Sequence, residues 1–405
     1  MVVKIAFVAL FFAVTLLLGL FYQKKVKSME DFVLGGRSVG PWLTAFSYGT
    51  SYFSAVVFIG YSGQFGWNFG ISAFWIGLAN ALLGSLAAWA VLGRRTRLMT
   101  NHLGAATMPE FFSKRYQSKA LKLVAAFIIF IFLVPYSASV YKGLSGIFSM
   151  AFGIDFKYCI IGMALLTGIY VVLGGYMATV ANNFVQGVIM LVGIVLVVFA
   201  VLNGKGGFTE AVKSLSNVEV APGAAGEGMK GAYTSLFGPD PLGLLGVMIL
   251  TSLGSWGLPQ MVHKFYTIDS EKSINKGAII STVFALAVAG GSYFIGGFGR
   301  LYVSAHANGG PSVAYDEIMP QMLAGVLPDL LMGLVVVLVL SASMSTLSSL
   351  VISSASTLTV DFVKGFLKKD LRDKQQMFLT RLFCILFMIV SVLLALYPGA
   401  LITNL

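Results

Sequence analysis

The stretch Phe184–Leu202 reads FVQGVIMLVGIVLVVFAVL, and Gln186 is its only strongly polar residue. An apolar helix of this length can cross the hydrocarbon core of a bilayer, which is about 30 Å thick. A second run of the same kind extends from Ile5 to Phe21. Both runs are continuously apolar, whereas the strands of a transmembrane barrel alternate between apolar and polar residues. The sequence therefore predicts membrane-spanning helices.

The composition of the whole chain agrees with this prediction. Of its 405 residues, 57% are hydrophobic and 11% are charged, and the mean hydropathy is +0.87. Soluble domains carry about 25% charged residues, so this chain has too few to cover itself in water. We expect an all-α integral membrane protein with about ten spans. The positive cluster at Lys24 and Lys25 follows the first apolar run, so we expect that span to be retained rather than cleaved.

The net charge of +11 indicates orientation rather than nucleic-acid binding. With the N-terminus outside, about three quarters of the Lys and Arg residues fall in alternate loops on one face, as cytoplasmic loops do. These loops hold the clusters Lys24–Lys27, Arg94–Arg97 and Lys364–Lys369, and we place Lys264 in one of them. We therefore expect a multi-pass protein of the cell (inner) membrane, surrounded by lipid bilayer and without a nucleic-acid partner.

Two spans look poorly suited to being continuous helices. The second, Trp42–Ile59, carries Gly, Ser and Thr at its middle, and the seventh carries them between Thr251 and Pro259. Helices interrupted at corresponding positions of two halves point to the central site of a transporter, because unwound backbone at membrane depth must line a cavity or be buried. The alternative is that small residues only let helices pack closely.

The ninth span carries a run of hydroxyl groups, Ser341–Ser349, which reads SASMSTLSS. Residues 342, 345, 346 and 349 share one helix face. Hydroxyl and carbonyl oxygens are the ligands that hard cations prefer, and neutral oxygens suit a monovalent ion that must leave again. The pattern therefore favours a cation site, with hydrogen bonding between helices as the alternative.

The acidic residues indicate which ion is carried. All sixteen fall in loops or at helix ends by our placement of the spans. A proton-driven carrier needs an ionisable relay at membrane depth, and the sixth span also lacks a lysine that could replace a bound cation. Sodium is therefore favoured over protons. We find no metal-binding cluster, carboxylate pair or activated nucleophile, so we do not expect an enzyme.

Several short motifs together resemble one transporter family, the sodium/solute symporters, which includes proline, pantothenate, sialic acid and sugar carriers. The resemblance runs from about residue 30 to the end of the chain. The motifs are DFVLGGR at Asp31–Arg37, FIGYSG at Phe58–Gly63, GGYMA at Gly174–Ala178 with Asn183 and Gln186, WGLPQ at Trp256–Gln260, and the run Met344–Ser349.

The resemblance implies a LeuT-like fold, an inverted five-plus-five helix repeat preceded by one extra helix. Its boundaries here would be 1–29 for the extra helix, 40–203 for the first repeat and 241–405 for the second, within a single domain 1–405. The chain stops at Leu405 near the end of its tenth span. We therefore expect the second repeat to be incomplete.

The resemblance also implies a sodium site and a solute site. Sodium would be held by the carbonyl oxygens of Thr50, Phe53 and Ala342 and by the hydroxyls of Ser345 and Thr346. The solute would lie between the second, fourth and seventh spans, for which ordinary helix packing is the alternative role of each residue. The candidate solute residues are Tyr52, Ser54, Tyr136, Thr251, Ser255 and Trp256.

Departures from the family pattern limit what can be said about stoichiometry and solute. Some members build a second sodium site on an aspartate whose position corresponds to Asn183 here, so we expect one sodium per cycle. Val57 stands where sugar carriers have glutamine, and Tyr52 and Val56 stand where proline carriers have aspartate and tryptophan. Neither of those solutes is supported by these positions.

The function predicted from the sequence is sodium-coupled symport of a small organic solute, an amino acid, carboxylate or vitamin-like molecule, by alternating access. Sodium ion is the expected cofactor, and the functional unit is expected to be a monomer. The alternative is a symporter-like membrane sensor domain of a signalling protein.

Overall fold

The protein is built from helices. The computed structural model describes residues 2–220, 226–306, 309–367 and 370–397, and within these ranges two isolated β-bridges extend into no strand. The predicted end of the tenth span, at 398–405, lies outside the described residues. The helices are α1 (Val2–Gln23), α2 (Met29–Leu34), α3 (Pro41–Tyr52), α4 (Val56–Leu103), α5 (Met108–Tyr116), α6 (Lys119–Phe152), α7 (Phe156–Asn203), α8 (Phe208–Ser216), α9 (Pro241–Gly257), α10 (Pro259–Thr267), α11 (Glu271–Leu301), α12 (Ile318–Ala324), α13 (Asp329–Leu367) and α14 (Asp373–Ala395).

Seven of the described helices are long and apolar enough to cross a membrane, or eight if α9 and α10 form one bent span. Two of them, α4 and α7, have 48 residues each. A straight helix of that length would measure about 72 Å, more than twice the hydrocarbon thickness. Each contains one glycine whose backbone angles are not helical: Gly70 in α4 (φ 66°, ψ −144°) and Gly175 in α7 (φ 56°, ψ −146°). We interpret each as two crossings, and the count of about ten spans stays a prediction.

Gly175 shows why the bend in α7 needs glycine. Its backbone angles lie in a region that side chains with a Cβ atom avoid. A Cβ atom at this position would also lie 2.8 Å from the carbonyl oxygen of Phe32. Backbone conformation and close approach therefore both require glycine where the two halves of α7 meet.

The second predicted span is broken, as expected. Helix α3 ends at Tyr52 because Phe53 adopts extended angles (φ −97°, ψ 96°), with its N–H still bonded to the Gly49 carbonyl at 3.0 Å. The chain turns helical again in α4, whose first turn is closed by the N–H groups of Val57 and Phe58 on the Ser54 carbonyl. The prediction of an interruption near residue 50 is confirmed.

The seventh predicted span is broken too. Helices α9 and α10 meet at an angle of 52°. Leu258, between them, is extended (φ −68°, ψ 124°) and precedes Pro259, the first residue of α10. Proline disfavours a helical conformation in the residue before it and itself suits the first position of a helix. One proline thus ends α9 and begins α10.

The start of α3 and the end of α10, which belong to the two broken spans, are joined by main-chain hydrogen bonds. The Val39 N–H donates to the Thr267 carbonyl at 3.2 Å, and the Asp269 N–H donates to the Val39 carbonyl at 3.0 Å. Arg97 adds side-chain hydrogen bonds to the carbonyls of Ile268 and Asp269. We call this connection the Val39 bridge.

Helix α13 forms the centre of the molecule. In its most apolar window 83% of residues are buried, against 17% for α1 and 28% for α14. It packs against α1, α3, α6, α7 and α14. All residues of the hydroxyl-rich stretch Ser341–Ser349 are buried, so its oxygens face other helices and not lipid.

Candidate cation and solute sites

Four oxygen atoms from α3 and α13 converge where α3 ends. The Ser345 Oγ lies 3.2 Å from the Thr50 carbonyl oxygen and 3.2 Å from that of Ala342. The Thr346 Oγ1 lies 3.4 Å from the Thr50 oxygen and 3.1 Å from the Ala342 oxygen. We call these atoms the four-oxygen cluster. Four of the five predicted sodium ligands are thus brought together.

The break in α3 explains why a main-chain oxygen is available here. The last four carbonyls of a helix have no partner within it. Since the Phe53 N–H closes the final helical bond on Gly49, the carbonyls from Thr50 onward are released. Without the break, the Thr50 oxygen would accept a bond from its own helix.

The spacing of the cluster resembles the coordination shell of a hard cation. Oxygen ligands lie roughly 2.3–2.6 Å from Ca²⁺, so neighbouring ligands at right angles are about 3.3–3.7 Å apart. Na⁺ has nearly the same ionic radius as Ca²⁺. The observed separations of 3.1–3.4 Å are close to this range, and all four oxygens are neutral, which suits a monovalent ion that must be released.

Phe53, the fifth predicted ligand, occupies the extended position itself. It is buried, with 1% of its surface exposed, and its carbonyl is among those that the end of α3 releases. In the described ranges, no hydrogen bond links this carbonyl to the four-oxygen cluster. Its assignment as a ligand stays a prediction.

Next to the cluster, the same two helices are joined by a second pair of hydroxyls. The Ser51 Oγ and the Ser349 Oγ lie 2.9 Å apart, and the Lys264 ammonium donates to Ser349 at 3.0 Å. One turn before Ser51, the Ser47 hydroxyl accepts a bond from the Asn183 amide nitrogen at 2.9 Å. A buried lysine side chain therefore lies beside the candidate cation site.

The placement of Lys264 in a cytoplasmic loop was wrong. Helix α10 continues to Thr267 and carries Lys264 inside the protein, where 1% of its surface is exposed. His263 beside it is also buried. The signal in the sequence is the restart at Pro259, which adds nine helical residues after the break.

Asp361 is a buried carboxylate that the sequence placed at a helix end. It has no exposed surface, accepts a hydrogen bond from Thr107 at 2.6 Å and pairs with Lys122 at 3.2 Å. It lies toward the end of α13, twelve residues beyond Ser349. The pairing ties α13 to the segments that begin α5 and α6.

A cavity of about 490 Å³ lies between the broken spans and α6. Five of the six predicted solute residues line it: Tyr52, Ser54, Tyr136, Thr251 and Ser255. Trp256 is not among its lining residues, and its indole N–H instead donates to the Leu83 carbonyl at 2.9 Å. Ser51 also lines the cavity, so the cavity adjoins the helix segment that carries the four-oxygen cluster.

The cavity has a mostly apolar lining with a few neutral polar groups. The Tyr52 hydroxyl donates to the Thr251 carbonyl at 2.9 Å and so links the two broken spans. Asn80 of α4, which sequence reasoning missed, accepts hydrogen bonds from Thr251 at 2.9 Å and from Ser252 at 3.1 Å. Among the described residues, the lining contains no Lys, Arg, Asp or Glu.

A bundle of apolar helices, two broken spans, and a cavity beside a set of neutral oxygens together describe a membrane transporter. The family model for the sodium:solute symporter family matches residues 32–403, and the chain belongs to that family. It is accordingly a multi-pass membrane protein that uses sodium, and the resemblance drawn from its motifs is confirmed.

Curated relatives and solved structures agree with this assignment. A sodium/proline symporter of Staphylococcus aureus is 30% identical over 410 residues, covering 98% of this chain and 76% of the relative. The same figures over 411 residues hold for the sodium/proline symporter of Staphylococcus aureus strain JH9.

Two solved structures share the fold. The first is a substrate-bound, outward-open Na⁺-coupled sialic acid symporter, with a TM-score of 0.79 at 19% identity, covering 97% of this chain and 80% of that one. The second is a nucleobase-cation-symport-1 family transporter in a closed conformation with bromovinylhydantoin bound. Its TM-score is 0.55 at 16% identity, covering 92% of this chain and 75% of the other.

Proposed function

We propose that the protein is a symporter that couples the inward movement of one Na⁺ to that of a small organic solute by alternating access. The four-oxygen cluster carries this proposal, because it joins a broken helix to α13 beside a cavity. An ion bound there would favour the arrangement in which the two helices touch. A ligand that binds one arrangement better shifts the equilibrium toward it.

The proposed ion ligands are those named from the sequence: the carbonyls of Thr50, Phe53 and Ala342 and the hydroxyls of Ser345 and Thr346. The proposed solute site is the cavity beside them. To the five lining residues predicted from the sequence we add Asn80, which also lines the cavity. Trp256 would influence the solute site only indirectly, through its hydrogen bond to Leu83 of α4.

We propose that the helices form a LeuT-like inverted repeat, with 1–29 as the extra helix and 40–203 and 241–405 as the two halves. The two breaks, at Phe53 and at Leu258, lie in spans five apart in our numbering, as such a repeat requires. The orientation proposed is N-terminus outside in the cell (inner) membrane, with a monomer as the functional unit.

The solute proposed is an amino acid, a carboxylate or a vitamin-like molecule. A cavity lined by hydroxyls, aromatic rings and one amide suits a net-neutral zwitterion or an anion that enters with Na⁺. Because the relatives at 30% identity are named sodium/proline symporters, proline is the first solute to test. Tyr52 and Val56 differ from the pattern of proline carriers, so other amino acids and small carboxylates belong in the same screen.

Uptake into proteoliposomes tests the function. Purified protein is reconstituted, and the uptake of radioactive proline and of each screened solute is measured with an inward Na⁺ gradient, with K⁺ in its place, and with a protonophore. We expect uptake to require Na⁺ and to persist with the protonophore. Uptake that K⁺ supports equally, or that the protonophore abolishes, would reject sodium coupling.

A further inference from the structure

Lys264 is a buried lysine within the candidate ion-binding region. Its side chain extends from α10, the inner half of the broken seventh span, and 1% of the residue is exposed. Burying an unpaired charge is costly unless other groups replace the lost water. The groups around the Lys264 side chain must therefore compensate for the lost water.

The partners of the ammonium are neutral. It donates to the Ser349 hydroxyl at 3.0 Å and lies 5.3 Å from the centre of the Tyr176 ring. Ser349 in turn contacts the Ser51 hydroxyl at 2.9 Å. Hydroxyl oxygens and an aromatic face stabilise a cation without neutralising it. We call the space bounded by Ser51, Ser349 and Tyr176 the Lys264 subsite.

The Lys264 subsite joins the same helices as the four-oxygen cluster. Ser51 follows Thr50 directly in α3, and Ser349 lies one helical turn after Ser345 in α13. The Ser349 hydroxyl also donates to the Ser345 carbonyl at 3.1 Å. The ammonium thus holds α3 and α13 together from a second, adjacent position and adds α10 to the group.

No carboxylate neutralises this lysine. Across the described residues, no Asp or Glu oxygen lies within ion-pair distance of the Lys264 nitrogen. On α7, the buried Asn183 directs its amide nitrogen to Ser47, while its Oδ1 has no hydrogen-bond partner there. Replacing Asn183 with aspartate would place a negative charge at this unpaired oxygen.

We propose that the Lys264 ammonium is a resident cation, occupying a second cation subsite so that the protein binds a single Na⁺ at the four-oxygen cluster. This inference rests on the proposed sodium site. At this second subsite the ammonium links α3 and α13, as a bound cation would otherwise do. It also weakens Na⁺ binding at the neighbouring cluster by repulsion between like charges.

Equilibrium binding of radioactive Na⁺ to the purified full chain in detergent tests this inference without knowledge of the solute. We expect wild type to bind one Na⁺ per chain. Lys264→Met should bind one Na⁺ with a dissociation constant roughly tenfold lower, because the repelling charge is gone. The double variant Lys264→Met/Asn183→Asp should bind two, because it adds a carboxylate beside Ser47, one turn before Ser51.

Controls separate charge from folding. Lys276→Met removes an exposed lysine of the next helix and should leave stoichiometry and affinity unchanged. Lys264→Gln keeps a donor for Ser349 without charge, and replaces Lys264→Met if that variant does not fold. Two Na⁺ in wild type, an unchanged dissociation constant in the Lys264 variants, or a double variant that still binds one would overturn the inference.

These outcomes differ from failure of the proposed function. If wild type binds no Na⁺, the sodium site itself is wrong. If wild type binds one and the Lys264 variants behave like wild type, the four-oxygen cluster stands and the resident cation does not.

Discussion

Two hydroxyl groups on α13 donate hydrogen bonds to a carbonyl oxygen in the last turn of α3. Ser345 and Thr346 each contact their own helix at Ala342 and also reach the Thr50 carbonyl. These hydrogen bonds join the two helices, and in the proposed function the same oxygens become ligands when an ion binds. Helix packing and ion binding, which the sequence had offered as alternatives, can therefore use the same four atoms.

Removing both hydroxyls should impair sodium binding strongly. Hydrogen bonds to charged groups contribute about 1.5–3 kcal/mol each, and oxygen–ion contacts are of similar kind. We expect Ser345→Ala/Thr346→Ala to raise the Na⁺ concentration for half-maximal uptake by a factor of roughly ten or more. The measurement is solute uptake against external Na⁺.

The matched control for this variant is Ser341→Ala. The Ser341 hydroxyl donates to the Val337 carbonyl of its own helix at 2.7 Å, one turn before the cluster. Its loss should leave the sodium requirement within about twofold. If the double variant retained the wild-type requirement, the ion site would have to be sought elsewhere.

For individual residues, the one-face spacing of Ala342, Ser345 and Thr346 indicated a cation site on this helix. The family resemblance implied the ligand set, and the structure brings four of its five members together. The burial of Lys264 was not predicted because it depends on where α10 ends. Hydrophobic periodicity does not specify the last residue of a helix. Trp256 does not line the cavity, because a residue beside a break can point to either side, and its role in solute binding stays a prediction.

Among the helices, α7 shows how one residue replaces a loop. The sequence predicted about ten separate spans, and the structure joins the two halves of α7 through Gly175 without a loop. Apolar length predicts crossings well, since the bilayer thickness is known. It cannot predict whether a loop or a single glycine connects two crossings, because that depends on contacts with distant segments such as Phe32.

Substituting this glycine should destabilise the protein. Gly175→Ala places a Cβ atom 2.8 Å from the Phe32 oxygen at φ 56°, and strain of this kind costs about 1–3 kcal/mol. We expect a lower melting temperature in detergent, measured by intrinsic fluorescence. Gly162→Ala, in the same helix with nothing within 4 Å of its Cβ position, should melt like wild type. Equal melting of the two variants would contradict the strain argument.

For the whole molecule, composition predicted the class correctly, whereas the orientation drawn from the charge distribution stays a prediction. A chain with 11% charged residues needs lipid around it, and exposed apolar side chains on α1 and α14 agree with this. The solute cannot be read in this way, because it depends on how Tyr52, Asn80 and Thr251 meet across three helices.

The orientation can be tested with single cysteines. Glu210 in α8 and Lys119 at the start of α6 are exposed, and the native Cys159 and Cys384 are buried. A membrane-impermeant maleimide applied to intact cells should label Glu210→Cys and spare Lys119→Cys. After permeabilisation both should react. The reverse pattern would place the N-terminus inside.

The Val39 bridge has a mechanical consequence. Its two hydrogen bonds join the start of α3 to the end of α10, so we expect these two segments to move together. Under the proposed function, an ion bound near Thr50 would then influence the broken seventh span through this connection and through the Tyr52–Thr251 hydrogen bond, without direct contact between ion and solute.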